Sequence, residues 1–436
     1  RCERRPFATR LTAFHGAICR KQERREPCGA AHPGKNSTPS HHNPHRRPTA
    51  TEIKCVSLER KRTTKNKSKT MTEKKKYVVA MDSFKGCLTA AEACDAVAEA
   101  LHGCDGGAEV VRMPVSDGGE GMLETAIAAL GGDIISTYVH DPLMRRIEAE
   151  YGVTPDGTAI IETAKACGLS LIKEDERNPV RATSYGVGEL LAAAVKRGCR
   201  KFIIGLGGSG TSDAGIGMLR ALTDKLAPRG GTIGDALAAD LGRCSFTLAC
   251  DVDNPLCGPS GAAAVFAQQK GATPEMLPLL EKRAGRFALA SARHFGYDRS
   301  QAPGAGAAGG LGYAFMQYLQ AERRSGADLM LDISGFDKAL DDATCVITGE
   351  GHADRQTLMG KLPLRVMERA RLKGVPAWLL AGRVNDKEDL MKAGFAKVES
   401  VTPDGTDLAV AMKKDVAVRN IASKVKELCS IGSTTL

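Results

Sequence analysis

Residues 203–217 read IIGLGGSGTSDAGIG. The run Phe202-Ile203-Ile204 has the β-branched character of a buried strand. It passes into Gly207-Gly208-Ser209-Gly210, and a helical pattern resumes at Ile216. A strand that ends in glycines and opens a helix lets backbone N–H groups come close to an anion. Three other strand ends carry glycine with an acid: Asp82-Ser83-Phe84-Lys85-Gly86, Ser116-Asp117-Gly118-Gly119-Glu120-Gly121 and Thr348-Gly349-Glu350-Gly351. Four such loops predict an α/β chain whose strand ends line one polar cleft for a phosphorylated ligand and its metal.

Outward from that stretch, strands and helices alternate. Tyr77–Met81 reads as a strand, and Thr89–Leu101 as a helix with Thr89 and Glu92 spaced as a capping box. Val110–Val115 and Gly121–Leu130 repeat the pair. Short strands separated by turn residues then replace the rhythm, at 137–139, 148–153 and 159–161. Helices are expected at 183–197 and 275–295, and a Gly/Ala loop at Pro303–Gly312. Strands at 345–347, 377–381 and 397–401 and helices at 362–373 and 407–428 close the chain. The two ends read as one doubly wound parallel sheet, residues 71–131 with 328–436, interrupted by a second mixed α/β domain at 132–327, with the ligand cleft between them.

The formal charge is +10, but residues 1–70 hold 18 Lys and Arg against 5 Asp and Glu. The remaining chain is therefore slightly acidic, and the charge does not point to a nucleic-acid partner. The first 70 residues lack an apolar period and read as a disordered basic tail. Met71, just before the first strand, reads as the native start. An Arg-rich targeting peptide and a functional basic arm are the alternatives. The 14 cysteines include no C-x-x-C pair, which argues against a zinc site or a disulfide framework. No apolar run reaches membrane-spanning length. A cytoplasmic protein, with room for homo-oligomers, is the expectation.

Phosphoryl transfer needs donors for the phosphates, a cation for the developing charge and a group that holds the acceptor hydroxyl. No G-x-x-x-x-G-K-[ST] loop is present. Gly207, Gly208, Ser209 and Thr211, with Glu350 and Gly351, are the candidate nucleotide contacts. Asp117 and Asp213 are the candidate Mg²⁺ ligands. Asp82, Lys85 and Asp213 are the candidate catalytic groups, and Ser83, Lys85 and Arg177 the candidate substrate contacts. Lys361 is a further cation, and Trp378 reads as core. Taken singly, Asp82 and Asp117 also read as helix caps, and Asp251 and Asp253 as turn formers.

Taken in order, these pieces resemble the type I glycerate kinase family, of the bacterial glycerate 2-kinase type. The resemblance runs from Lys76 to about Asp386. It includes the four loops above, Glu176-Arg177-Asn178-Pro179, Cys250-Asp251-Val252-Asp253-Asn254-Pro255-Leu256-Cys257-Gly258, the Pro303–Gly312 segment, Gln356-Thr357 and Gly360-Lys361. It implies ATP- and Mg²⁺-dependent phosphorylation of D-glycerate, to the 2-phosphate in most bacterial members and the 3-phosphate in some relatives. It also implies a flavodoxin-like first domain and a place in organic-acid catabolism. A non-catalytic nucleotide or small-molecule binding protein is the rival reading. Ser212 stands where the family commonly has Asn, and His352 where Arg is common. The stretch 220–247 is shorter than usual, which leaves a nucleotide contact and local folding there open.

Overall fold

The computed structural model describes residues 74–432. The basic tail, residues 1–70, and the start read at Met71 lie outside the described residues. Two sheets carry the architecture. The first has the order β11-β10-β9-β1-β2 and is parallel throughout. Its strands are β1 (Lys76–Met81), β2 (Glu109–Arg112), β9 (Cys345–Ala353), β10 (Ala377–Val384) and β11 (Lys397–Ser400).

The near-continuous apolar text of β1 has a simple cause: both of its faces are covered. Val78 and Ala80 join a cluster with Met122, Leu123, Leu329 and Val366. Tyr77, Val79 and Met81 point the other way, into a cluster with Val97, Leu101, Ile421 and Val425. The helix Ala90–Cys104 begins at the expected capping box of Thr89 and Glu92.

The second sheet runs β3-β4-β5-β6-β7-β8, from β3 (Asp133–His140), β4 (Arg146–Val153), β5 (Thr158–Glu162), β6 (Lys201–Gly205), β7 (Ser245–Ala249) and β8 (Glu322–Arg324). β3-β4-β5 is an antiparallel meander and β5-β6-β7-β8 is parallel. Ile160 of β5 and Ala249 of β7 share a buried cluster with Val78 and Ala80. The helices Met122–Leu130 and Gly326–Ser334 contribute to that same cluster, so they fill the layer between the sheets.

The Gly/Ala loop expected at Pro303–Gly312 continues to Gly310: Ala308, Gly309 and Gly310 take the left-handed φ values 50°, 66° and 92°, and the regular helix that ends at Tyr318 begins after them. A Cβ on Gly309 would sit 1.9 Å from the Thr211 carbonyl oxygen, so this left-handed turn fits only without a side chain. The short stretch 220–247 is ordered: the helix Ile233–Ala239 starts at a Thr232/Asp235 capping box and buries Ile233 and Ala236. Trp378 is half-buried, with Lys397 Nζ 4.3 Å from its ring centroid. None of the described cysteines is joined in a disulfide. No helix among the described residues is long and apolar enough to cross a membrane.

Candidate active site

In the first sheet the chain leaves β1 towards β2 on one side, while β9, β10 and β11 extend the other. The carboxyl ends of β1 and β9 therefore form the crevice where open α/β sheets bind ligands. A cavity of about 420 Å³ opens there. Asp82, Ser83 and Lys85 line it from the β1 end, Glu350 and Gly351 from β9, and Arg383 from β10. Val401, Leu408, Met412 and Ala417 give it an apolar wall.

The acids here are under electrostatic pressure. Asp82 is 6% exposed, and its carboxylate accepts the Ser83 N–H at 2.7 Å. Burial, followed by the nearby Asp117 charge, holds its carboxyl well above the ordinary range. Glu350 accepts from Thr357 Oγ1 at 2.7 Å and from Lys361 Nζ at 3.4 Å. Burial raises its pKa as well. Lys85 is held more firmly protonated, chiefly by Asp117, whose Oδ2 lies 3.9 Å from Nζ. The Ser83 hydroxyl is buried without a hydrogen-bond partner, a donor left for a ligand.

A second cavity, of about 360 Å³, lies at the end of β6 and β7. Gly207, Gly208 and Ser209 line it, with Asp251, Lys270 and Ala308. Asp117 lines both cavities. Two loops interlock at that junction: a Cβ on Gly207 would sit 2.4 Å from Gly119 Cα. Asp117 Oδ1 accepts the Gly119 N–H at 3.0 Å, which fixes the carboxylate between the cavities.

Gly205, Gly207 and Gly210 have G-x-G-x-x-G spacing, yet the helix starts only at Ile216, so this is not a dinucleotide turn. Asp251 accepts from Ser325 Oγ, Gly326 N and Ala327 N and caps the helix Gly326–Ser334.

Three expected site residues stand apart. Asp213 lines neither cavity. Its Oδ2 accepts from Ser184 N, Ser184 Oγ, Thr183 Oγ1 and Gly217 N, and its Oδ1 from Gly215 N. Asp213 thereby clamps two helix starts together. Thr211 is fully buried behind the glycine loop, and its carbonyl, rather than its hydroxyl, meets Lys270. Arg177 lines neither cavity; it packs on Gly271, where a Cβ would lie 2.6 Å from its own, and its Nε is buried without a hydrogen-bond partner.

Lys270 is the residue that sequence reading missed. It is 3% exposed, and its Nζ donates to Ser209 Oγ at 2.9 Å and to the Thr211 carbonyl at 2.7 Å. Burial pulls its pKa down to about 8. Lysines are seldom buried, and Gln268-Gln269-Lys270-Gly271 carries no motif, so nothing local marked it.

A parallel sheet with acids and cations at its switch point, meeting the glycine loop of a second sheet at a shared aspartate, defines an α/β enzyme that binds anionic ligands. The Glycerate kinase family profile matches residues 77–431. A glycerate kinase of Bacillus subtilis is 39% identical over 373 residues, 80% of this chain and 98% of the relative. A glycerate 2-kinase of Escherichia coli is 38% identical over 327 residues, 71% of this chain and 86% of the relative. A crystal structure from Salmonella typhimurium LT2, provisionally assigned as glycerate kinase 2, superposes with a TM-score of 0.69 at 35% identity, covering 83% of this chain and 99% of that one. The chain belongs to the glycerate kinase family.

Proposed function

We propose that the protein transfers the terminal phosphoryl group of ATP to D-glycerate. The observation that carries this reading is the convergence of Asp82, Lys85 and Glu350 on one cavity that shares Asp117 with the glycine loop. Both substrates are anions, and both cavities offer cations: Lys85, Lys361 and Arg383 in the first, Lys270 in the second. Asp82 is the group to which the acceptor hydroxyl proton passes, because its carboxylate lines the cavity beside the unpartnered Ser83 hydroxyl. Lys85 balances charge on the oxygens of the phosphoryl group in transit. The Ser83 hydroxyl orients the acceptor, and the Gly207–Ser209 loop cradles an anionic group.

Among the described residues no three His, Cys, Asp or Glu side chains are grouped to hold a metal between them. Mg²⁺ needs only one or two carboxylates, with water and phosphate oxygens completing the shell. Asp117, 27% exposed and facing both cavities, fits that demand, whereas Asp213 does not. Bound there, the ion would neutralise phosphate charge.

The 2-phosphate is the favoured product, in line with the name of the Escherichia coli relative. The 3-phosphate is the alternative. The wider reading is a cytoplasmic enzyme of glycerate catabolism, with residues 71–131 and 328–436 as one domain and 132–327 as another. NMR of the product formed from D-glycerate and ATP tests it. A phosphate coupled to the C2 proton is expected. Coupling to the C3 protons would reassign the product, and binding of both ligands without turnover would favour a non-catalytic binding protein.

A further inference from the structure

The second cavity holds a buried ammonium with no ion-pair partner, although Asp117 and Asp251 also line the cavity. The Lys270 ammonium carries three donors, and the structure uses two of them, on Ser209 Oγ and the Thr211 carbonyl. Both acceptors are neutral. Among the described residues no carboxylate lies within ion-pair distance of Nζ. The nearest titratable groups do not pair with it. The Cys167 thiol is pushed up to about 12 by burial and stays neutral. Asp213 acts on the ammonium only through space, while its oxygens bond Thr183, Ser184, Gly215 and Gly217. Asp251 is engaged with Ser325, Gly326 and Ala327, and Asp117 faces Lys85 across the junction of the two cavities. Burying a cation without an opposite charge is costly, and such groups are normally paired. Here the ammonium lines a cavity large enough for a small anion.

We propose that Lys270 is the residue that receives the anionic group of a substrate in the second cavity, either the glycerate carboxylate or a nucleotide phosphate. The inference rests on the kinase reading above. Ser209 has a positioning role, because its hydroxyl holds Nζ against the loop Gly207–Ser209. The anion pairs directly with the ammonium and takes the third N–H. The glycine loop lets it approach, since Gly207 and Gly208 put no side chain in its path. Lysine, unlike arginine, presents a compact point charge that suits one oxygen of either group.

Calorimetry on wild type and Lys270→Met, with D-glycerate and separately with a non-hydrolysable ATP analogue, tests the inference. Affinity for one of the two should fall by about 10-fold to 100-fold, with a matching rise in KM. A selective loss for glycerate identifies the carboxylate, and a selective loss for the analogue identifies the phosphate. A folded variant that binds both within about twofold of wild type overturns the inference. If Lys270→Met does not fold, wild type still decides. The affinity for one substrate should weaken between pH 7 and 9.5 as the ammonium loses its proton near 8. A flat profile for both overturns the inference. Wild-type protein that does not phosphorylate glycerate would sink the kinase reading instead, and the analogue and inorganic phosphate would then test Lys270 by themselves.

Discussion

Asp213 takes both the N–H and the hydroxyl proton of Ser184 on one carboxylate oxygen, at 2.8 and 2.9 Å. Ser184 Oγ in turn accepts the Met218 N–H at 3.0 Å. The pair ties the start of the helix Tyr185–Lys196 to the start of Ile216–Leu226. Asp213→Asn would turn an NH₂ towards donors that need an acceptor. We expect a loss of about 2–4 kcal/mol in unfolding free energy, from charge-assisted bonds left unmade. Denaturant melts measure it. The Mg²⁺ dependence of the remaining activity should be unchanged, and a weakened metal response would return Asp213 to the metal site.

Lys85→Met keeps the stem and removes the charge that faces Asp117 and the first cavity. A fall in kcat on the order of 100-fold, with smaller changes in both KM values, is expected if Lys85 meets the transferring phosphoryl group. A rise confined to the KM for glycerate would place it on the substrate carboxylate. Unchanged constants would remove it from the site.

Asp117→Asn tests the shared wall. The amide can still accept the Gly119 N–H, so the loop should hold. The kcat should drop by at least about 100-fold, and more Mg²⁺ should be needed for half-maximal rate. A normal metal titration would show that Asp117 serves only the loop.

Gly207→Ala places a methyl 2.4 Å from Gly119 Cα, a backbone contact that cannot yield cheaply. The two loops must part, and Asp117 moves with them. Activity should fall more than stability does, with both KM values raised. A crystal structure of the variant with the loops undisturbed would contradict this.

Glu162, 2% exposed, has its pKa raised from 4.5 to about 7, mainly by burial. Between those values the native state holds a proton that the unfolded chain has released. Stability therefore falls as pH rises through that window, by at most about 3 kcal/mol, and the loss is complete above pH 7. Glu162→Gln can still accept the Leu123 N–H that the carboxylate takes at 3.2 Å. It should melt higher than wild type at pH 8 and equally at pH 4.5. A difference that does not vary with pH would refute the assignment.

Local grammar was readable where neighbours in sequence are neighbours in space. The Thr89/Glu92 box starts its helix as read, and the apolar runs of β1, β9 and β10 became a parallel sheet buried on both faces. The acids at strand ends were legible too, because parallel strands deliver their carboxyl ends to one edge: Asp82 and Glu350 meet there. Long-range choices were not legible. Asp117 and Asp213 look alike in sequence, each in a glycine-rich stretch after a strand. Yet Asp117 faces both cavities, while the Ser184 helix start, 29 residues away in the chain, absorbs Asp213. Lys270 carried no signal at all, since its role depends on Ser209 and Thr211, 61 and 59 residues away. Hydrophobic period and turn chemistry are local properties that a chain carries in its order. Which buried polar group finds a partner, and which is left facing a cavity, depends on the packing of distant segments, and only the tertiary structure decides it.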